Sequence, residues 1–158
     1  MFYSLTCPEK VEYILMQPHV FKHSGDDFLR QFISHGCGRL LIASPLIELI
    51  GIQLEGSCVG MYMLQRKGEC SAEVHTCFLK PAFGRTDEIC AKFREYVFET
   101  FSWLLTLTTM VSSRNRLALK MTQNVGFEHC GTFSNYWKEG DELLDMHFFQ
   151  MKRNTTEV

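Results

Sequence analysis

The apolar positions fall into segments with two different periods. "FYSL" (Phe2 to Leu5) is a short apolar run closed by Pro8, and the chain then changes to helical spacing, with Val11, Ile14 and Leu15 on one face behind a first-turn proline. "SGDDFLRQFISHG" continues with Ser24 or Asp26 as a capping residue, Phe28, Phe32 and Ile33 at helical spacing, and Gly36 as a stop, which predicts a second helix. From Ile47 the pattern becomes strand-like. "IELIGIQL", "VGMYMLQ" and "AEVHTCFL" are separated by the glycine turns "EGSC" and "RKGEC" and predict an antiparallel meander.

"TDEICAKFREYVFETFSWL" places Ile89, Phe93, Val97 and Phe101 four apart with acids in its first turn, predicting an amphipathic helix laid on a sheet. The β-branched "LLTLTTMV" predicts a strand, and "SSRNRLALKMTQNVG" a helix between a Ser113 cap and a Gly126 stop. "FEHCGTFS" and "ELLDMHFFQM" predict a hairpin around the long loop "NYWKEGD", which would expose Tyr136 and Trp137 as a binding surface or fold Trp137 over the sheet edge. The order β-α-α-β-β-β-α-β-α-β-β predicts one α/β domain over residues 1–153, a mixed sheet flanked by helices, with a loose tail at 154–158.

At 158 residues and 46% hydrophobic the chain has enough apolar surface for one core. Its net charge of -2 argues against a surface built for nucleic acid. Seven scattered cysteines, an odd number with no C-x-x-C, suggest neither a disulfide framework nor a zinc knuckle and fit a reducing cytoplasm. The absence of an 18-residue apolar run or a signal-type start predicts a soluble, unexported protein with no membrane partner.

Strand alternation in "AEVHTCF" sets Glu73, His75 and Cys77 on one face and Val74, Thr76 and Phe78 on the other. Two titratable groups two apart suit a general base, or equally a hydrogen-bonded polar face. Cys77 reads as a buried thiol before a nucleophile. His19 and His23 lack a third ligand, so no metal is expected.

The element order together with "NRLALKMTQNVGFEHCG" resembles the GCN5-related N-acetyltransferase (GNAT) superfamily, whose late helix commonly reads N-x-x-A-x-x-x-Y-x-x-x-G-F. Asn115, Ala118, Gly126 and Phe127 fall on the matching positions. The resemblance implies acetyl transfer from acetyl-CoA to an amine that the sequence leaves unnamed. It implies Glu73 or His75 as base, and a cofactor loop from Phe78, Leu79 and Lys80 to Gly84, Arg85 and Thr86, with Asn115 as a further cofactor contact. Only Gly84 stands where the family has several small residues, so the same stretch also reads as a helix capped by Thr86. Asn115 likewise reads as a local cap. Thr122 stands at the family's tyrosine, and an aliphatic hydroxyl is a far weaker acid than a phenol of pKa near 10.

"EVHTCFLKPAFG" and "GFEHCGTFSNYWKEGDELLDMHFFQMKR" look like a branch of this superfamily encoded by tailed bacteriophages, some of whose members are labelled head-assembly proteins. That likeness implies the cytoplasm of an infected bacterium. It also implies an alternative role, a non-catalytic GNAT fold that binds a phage structural protein during virion assembly.

Overall fold

A computed structural model describes residues 1–154. Apart from Asn154, the tail expected at 154–158 lies outside the described residues. Seven strands, β1 (Phe2–Ser4), β2 (Ile47–Leu54), β3 (Ser57–Arg66), β4 (Ser71–Phe78), β5 (Thr106–Ser112), β6 (Glu128–Glu139) and β7 (Glu142–Lys152), form one sheet in the order β1-β2-β3-β4-β5-β7-β6. β4 and β5 are parallel, and every other neighbouring pair is antiparallel.

The central strands bury both faces, which is why "IELIGIQL" and "VGMYMLQ" read as nearly continuous apolar runs. Ile50, Ile52, Tyr62, Leu64 and Val74 pack on one side against Ile89, Phe93 and Val97 of α5 (Thr86–Thr100). Phe93 lies flat on Tyr62, ring centroids 3.6 Å apart, and the Tyr62 hydroxyl donates to Cys90 Sγ at 3.3 Å. Leu49, Met61, Cys77 and Leu79 meet Val11, Ile14 and Leu15 of α1 (Pro8–Leu15) on the other side.

The stretch between β1 and β2 departs from expectation. The helix expected to run to Gly36 is a single turn, α3 (Asp27–Arg30), capped by Asp26, whose Oδ1 accepts from Leu29 N at 3.0 Å. It follows another single turn, α2 (Pro18–Phe21), and precedes α4 (Cys37–Ala43). Gly36 starts α4 instead of stopping α3, because its φ of +95° turns the chain. The bare N-terminus of α4 is served from α1, where Glu12 Oε1 accepts from Gly36 N at 2.8 Å and Gly38 N at 3.2 Å. Phe28 and Phe32 are at helical spacing but stay exposed, edge to face with each other. Periodicity alone does not supply a surface to pack on.

The long loop expected at 135–141 is strand. β6 runs through it to Glu139, and the connection to β7 is tight. Register slips between Phe133↔Met146 and Trp137↔Leu144, where Asn135 adopts a positive φ of 55° and its N–H is held by Asp145 Oδ1 at 3.0 Å. Tyr136 is on this bulge, 51% exposed and stacked on Phe133, while Trp137 returns to the ladder.

Candidate functional site

β4 and β5 are joined by only three register pairs, Ser71↔Thr106, Ala72↔Leu107 and Glu73↔Thr108, after which they diverge. Because Leu79 N donates to Val59 O, the main-chain groups of the odd residues of β4 point to β3 and those of Thr76 and Phe78 point into the opening. The sheet is therefore split from Glu73 upward. Inside the split, Phe78 O accepts from His19 Nε2 at 3.0 Å, and Phe83 stacks edge-on against His19 with 55% of its surface in solvent. His19 thus serves a strand edge.

Glu73, His75 and Cys77 share the face of β4 that looks toward α1, as alternation requires. Glu73 Oε1 lies 3.3 Å from His75 Nε2, and Lys67 Nζ lies 3.0 Å from Glu73 Oε2. The Glu73 side chain is 9% exposed, so its charge needs a nearby compensating cation. Lys67 supplies it and also donates to Gln65 Oε1 at 2.9 Å, the residue opposite Glu73 on β3. Sequence reading missed Lys67, although a lysine in the turn two residues beyond Gln65 is within reach of that pair.

His75 has 41% of its side chain in solvent, yet protein atoms crowd the ring enough to hold its pKa below the ordinary 6.5, with Lys67 adding to the depression and Glu73 opposing it. Facing a lysine-paired carboxylate, Nε2 carries the proton, which leaves Nδ1 as the acceptor. Cys77 is not a nucleophile. Burial raises its thiol to about 12, far from the thiolate form.

At the expected cofactor loop, Leu79 is buried, a single 3-10 turn spans Lys80–Ala82, and Gly84 has φ +88° with open space where a Cβ would stand. Thr86 is not the N-cap of α5. Ile89 N donates to Arg85 O at 3.0 Å, so the helix begins one residue earlier than a Thr86 cap requires, and no side chain caps it. Arg85 Nε bonds Glu88 Oε2 at 3.1 Å, and Lys92 Nζ bonds Glu88 Oε1 at 2.8 Å. These contacts, Lys92 first and then Arg85, lower Glu88 to about 2. The acids of this first turn are thereby partly neutralised, and Asp87 Oδ2 accepts from Asn124 Nδ2 at 3.5 Å.

Asn115 caps its own helix, α6 (Arg116–Asn124), through Oδ1 and Ala118 N at 3.1 Å. Thr122, buried on that helix, brings no acidic group to the opening. The structure therefore brings Glu73, His75 and Lys67 together on the face toward α1, and places Gly84, Arg85 and Thr86 apart from them at the start of α5.

A further contact closes the open end. β7 pairs with β5 from Lys152↔Thr106 to Met146↔Ser112, so the β6–β7 tip projects past the end where β4 and β5 part. There Glu139 Oε1 meets Arg30 Nη1 at 3.0 Å, Glu139 Oε2 meets Arg114 Nη1 at 2.6 Å, and Gly140 N donates to Asp27 Oδ2 at 2.7 Å. Arg114 also pairs with Glu142.

The fold, with its split sheet and helix after β4, is that of the GCN5-related N-acetyltransferases. The spermidine N-acetyltransferase of Vibrio cholerae, solved with CoA and spermine, matches with a TM-score of 0.77 at 12% identity over 96% of this chain and 94% of that one. A structure from Acinetobacter baylyi matches at 0.73 and 16% over 100% and 95%, and the ribosomal-protein-alanine N-acetyltransferase of Brucella melitensis at 0.66 and 16% over 97% and 99%. No family model matches the sequence, and no curated protein matches it. Among the described residues no helix is long and apolar enough to cross a membrane.

Proposed function

We propose that this protein is an N-acetyltransferase-like enzyme that takes an acetyl group from acetyl-CoA to an amine, with the reaction centred beside His75 at the split between β4 and β5. The observation that carries the reading is the loss of β4–β5 pairing after Glu73↔Thr108, directly at the titratable pair. The donors fit the cofactor in main-chain terms. The free edge of Thr76 offers amide groups to an extended chain, and the uncapped start of α5 after Gly84 offers N–H groups to phosphate oxygens, with Lys80 and Arg85 as nearby cations. Acetyl-CoA supplies the activated acyl group as a thioester.

The chain's own part is proton management. An ammonium must lose a proton before its nitrogen can attack, and His75 Nδ1 is a base that stays unprotonated at neutral pH. Glu73 fixes the ring through Nε2 and stabilises the imidazolium that forms, while Lys67 pairs with the other carboxylate oxygen. With Thr122 at the family's acid position, the departing thiolate takes its proton from solvent.

Calorimetric titration with acetyl-CoA and CoA tests the reading. Saturable binding is the expected result, and no heat up to millimolar ligand would sink it. The second reading is a non-catalytic role, with a phage structural protein as partner. Thr122 and the closure of Asn115 on its own helix favour it, since both remove family contacts while leaving the core whole. A Glu73→Gln, His75→Ala chain that folds and binds partners but loses its biological effect would exclude that role.

A further inference from the structure

The β6–β7 ladder carries a second group of donor atoms, unconnected with the split. His129 and Thr132 are three apart, which in an uninterrupted strand sets them on opposite faces. Here His129 opposes Phe149, Gly131 opposes Phe148 and Thr132 opposes His147, which leaves Cys130 as an extra, unopposed residue. The bulge returns Thr132 to the face of His129, and His147 joins them from β7.

The three side chains close a nearly equilateral triangle. His129 Nε2 lies 3.3 Å from His147 Nδ1, and Thr132 Oγ1 lies 3.3 Å from the first and 3.0 Å from the second. Phe149, buried beneath, stands edge-on to the His129 ring at 5.2 Å and limits its tilt. A tetrahedral cation with metal–nitrogen bonds of about 2.0–2.1 Å spans a nitrogen–nitrogen edge of about 3.3–3.4 Å, the separation these two rings already hold.

We propose that His129 Nε2 and His147 Nδ1 form a surface chelate for a borderline divalent transition metal such as zinc, with Thr132 and water at the remaining positions. The donor set selects the metal class, because two imidazoles suit zinc, copper or nickel, and the triangle has no carboxylate for calcium or magnesium. With two protein nitrogens the site leaves positions open to water, and among the described residues no group of three His, Cys, Asp or Glu side chains gathers as a metal site. The Cys130 thiol turns away to the Glu128 carbonyl at 3.5 Å.

The test is a titration of the whole chain with zinc chloride, following the histidine ring nitrogens by NMR. The His129 and His147 signals are expected to move together and saturate at one zinc per chain. His129→Ala and, separately, His147→Gln should each lower affinity by about tenfold or more, and acidification should release the metal by protonating the ligands. Rings unmoved at millimolar zinc, one ring responding without the other, or binding abolished by Cys130→Ser but kept in His129→Ala would each overturn the site. His129 is on the exposed edge strand, so its variant keeps the test decisive if the His147 variant does not fold.

Discussion

Lys67 Nζ and Glu73 Oε2 are 3.0 Å apart across the turn that joins β3 to β4, so the buried carboxylate next to His75 is held as one half of an ion pair. The imidazole and its two charged neighbours therefore share a charge balance. Lys67 lowers the affinity of His75 for a proton, and Glu73 raises it.

Removing either neighbour should move His75 in opposite directions. In Lys67→Met the imidazole is expected to titrate at higher pH than in the parent, and in Glu73→Gln at lower pH, read from the His75 ring resonance in an NMR titration. A Lys67→Met shift downward would contradict the geometry. If the proposed reaction occurs, the acid limb of its pH–rate profile should follow the same displacement.

Stability should respond to the same residue. His75 has a folded pKa below its unfolded 6.5, so the unfolded chain binds the extra proton and folding is favoured above that value. The contribution is complete above pH 6.5 and is lost as pH falls through the folded pKa. His23, depressed mainly by burial, acts in the same window. Urea melts between pH 5 and 7.5 are expected to flatten in His75→Asn, whereas Glu88, lowered to about 2, acts only at more acid pH.

Asn115→Ala should cost about 1 kcal/mol in thermal or urea unfolding, the usual loss of a side-chain cap. If the chain binds CoA as proposed, that affinity should be unchanged at temperatures where the variant is folded. A large loss of CoA affinity would return Asn115 to the cofactor contact that the family resemblance implies.

Arg30 and Glu139 are both about 15% exposed, being 14% and 15% by side chain, so their contact is less screened than a surface pair. A double-mutant cycle with Arg30→Ala and Glu139→Ala is expected to give a coupling of about 1 kcal/mol or more, above the range of exposed pairs. Faster amide exchange over Asp27–Arg30 in either single variant is the matching local signature. Additive effects would mean the contact holds nothing together.

The strands were legible because burial imposes period two or a continuous apolar run, and the central ones show both. α5 was legible because Ile89, Phe93 and Val97 repeat on one face and meet a sheet. The segment from Ser24 to Ala43 was not, because its helical spacing reflects two exposed phenylalanines, and Gly36 could as readily begin a helix as end one. The long β6 strand was hidden by turn-forming residues that a bulge absorbs. That Glu73 and His75 share one face of β4 followed from alternation. Lys67, His19 and Arg30 did not, since each acts through a contact between separate parts of the chain, and one sequence carries no record of such distances.

The contact between α3 and the hairpin tip gives the molecule a clasp. Its two halves share three rungs at one end and a knot of opposite charges at the other, and these two fastenings answer to different conditions. Backbone rungs are indifferent to dissolved salt, whereas the exposed Arg114–Glu142 arm of the knot is screened as the Debye length contracts. Raised ionic strength is therefore expected to speed amide exchange at Gly140 while exchange at the base of the sheet stays unchanged.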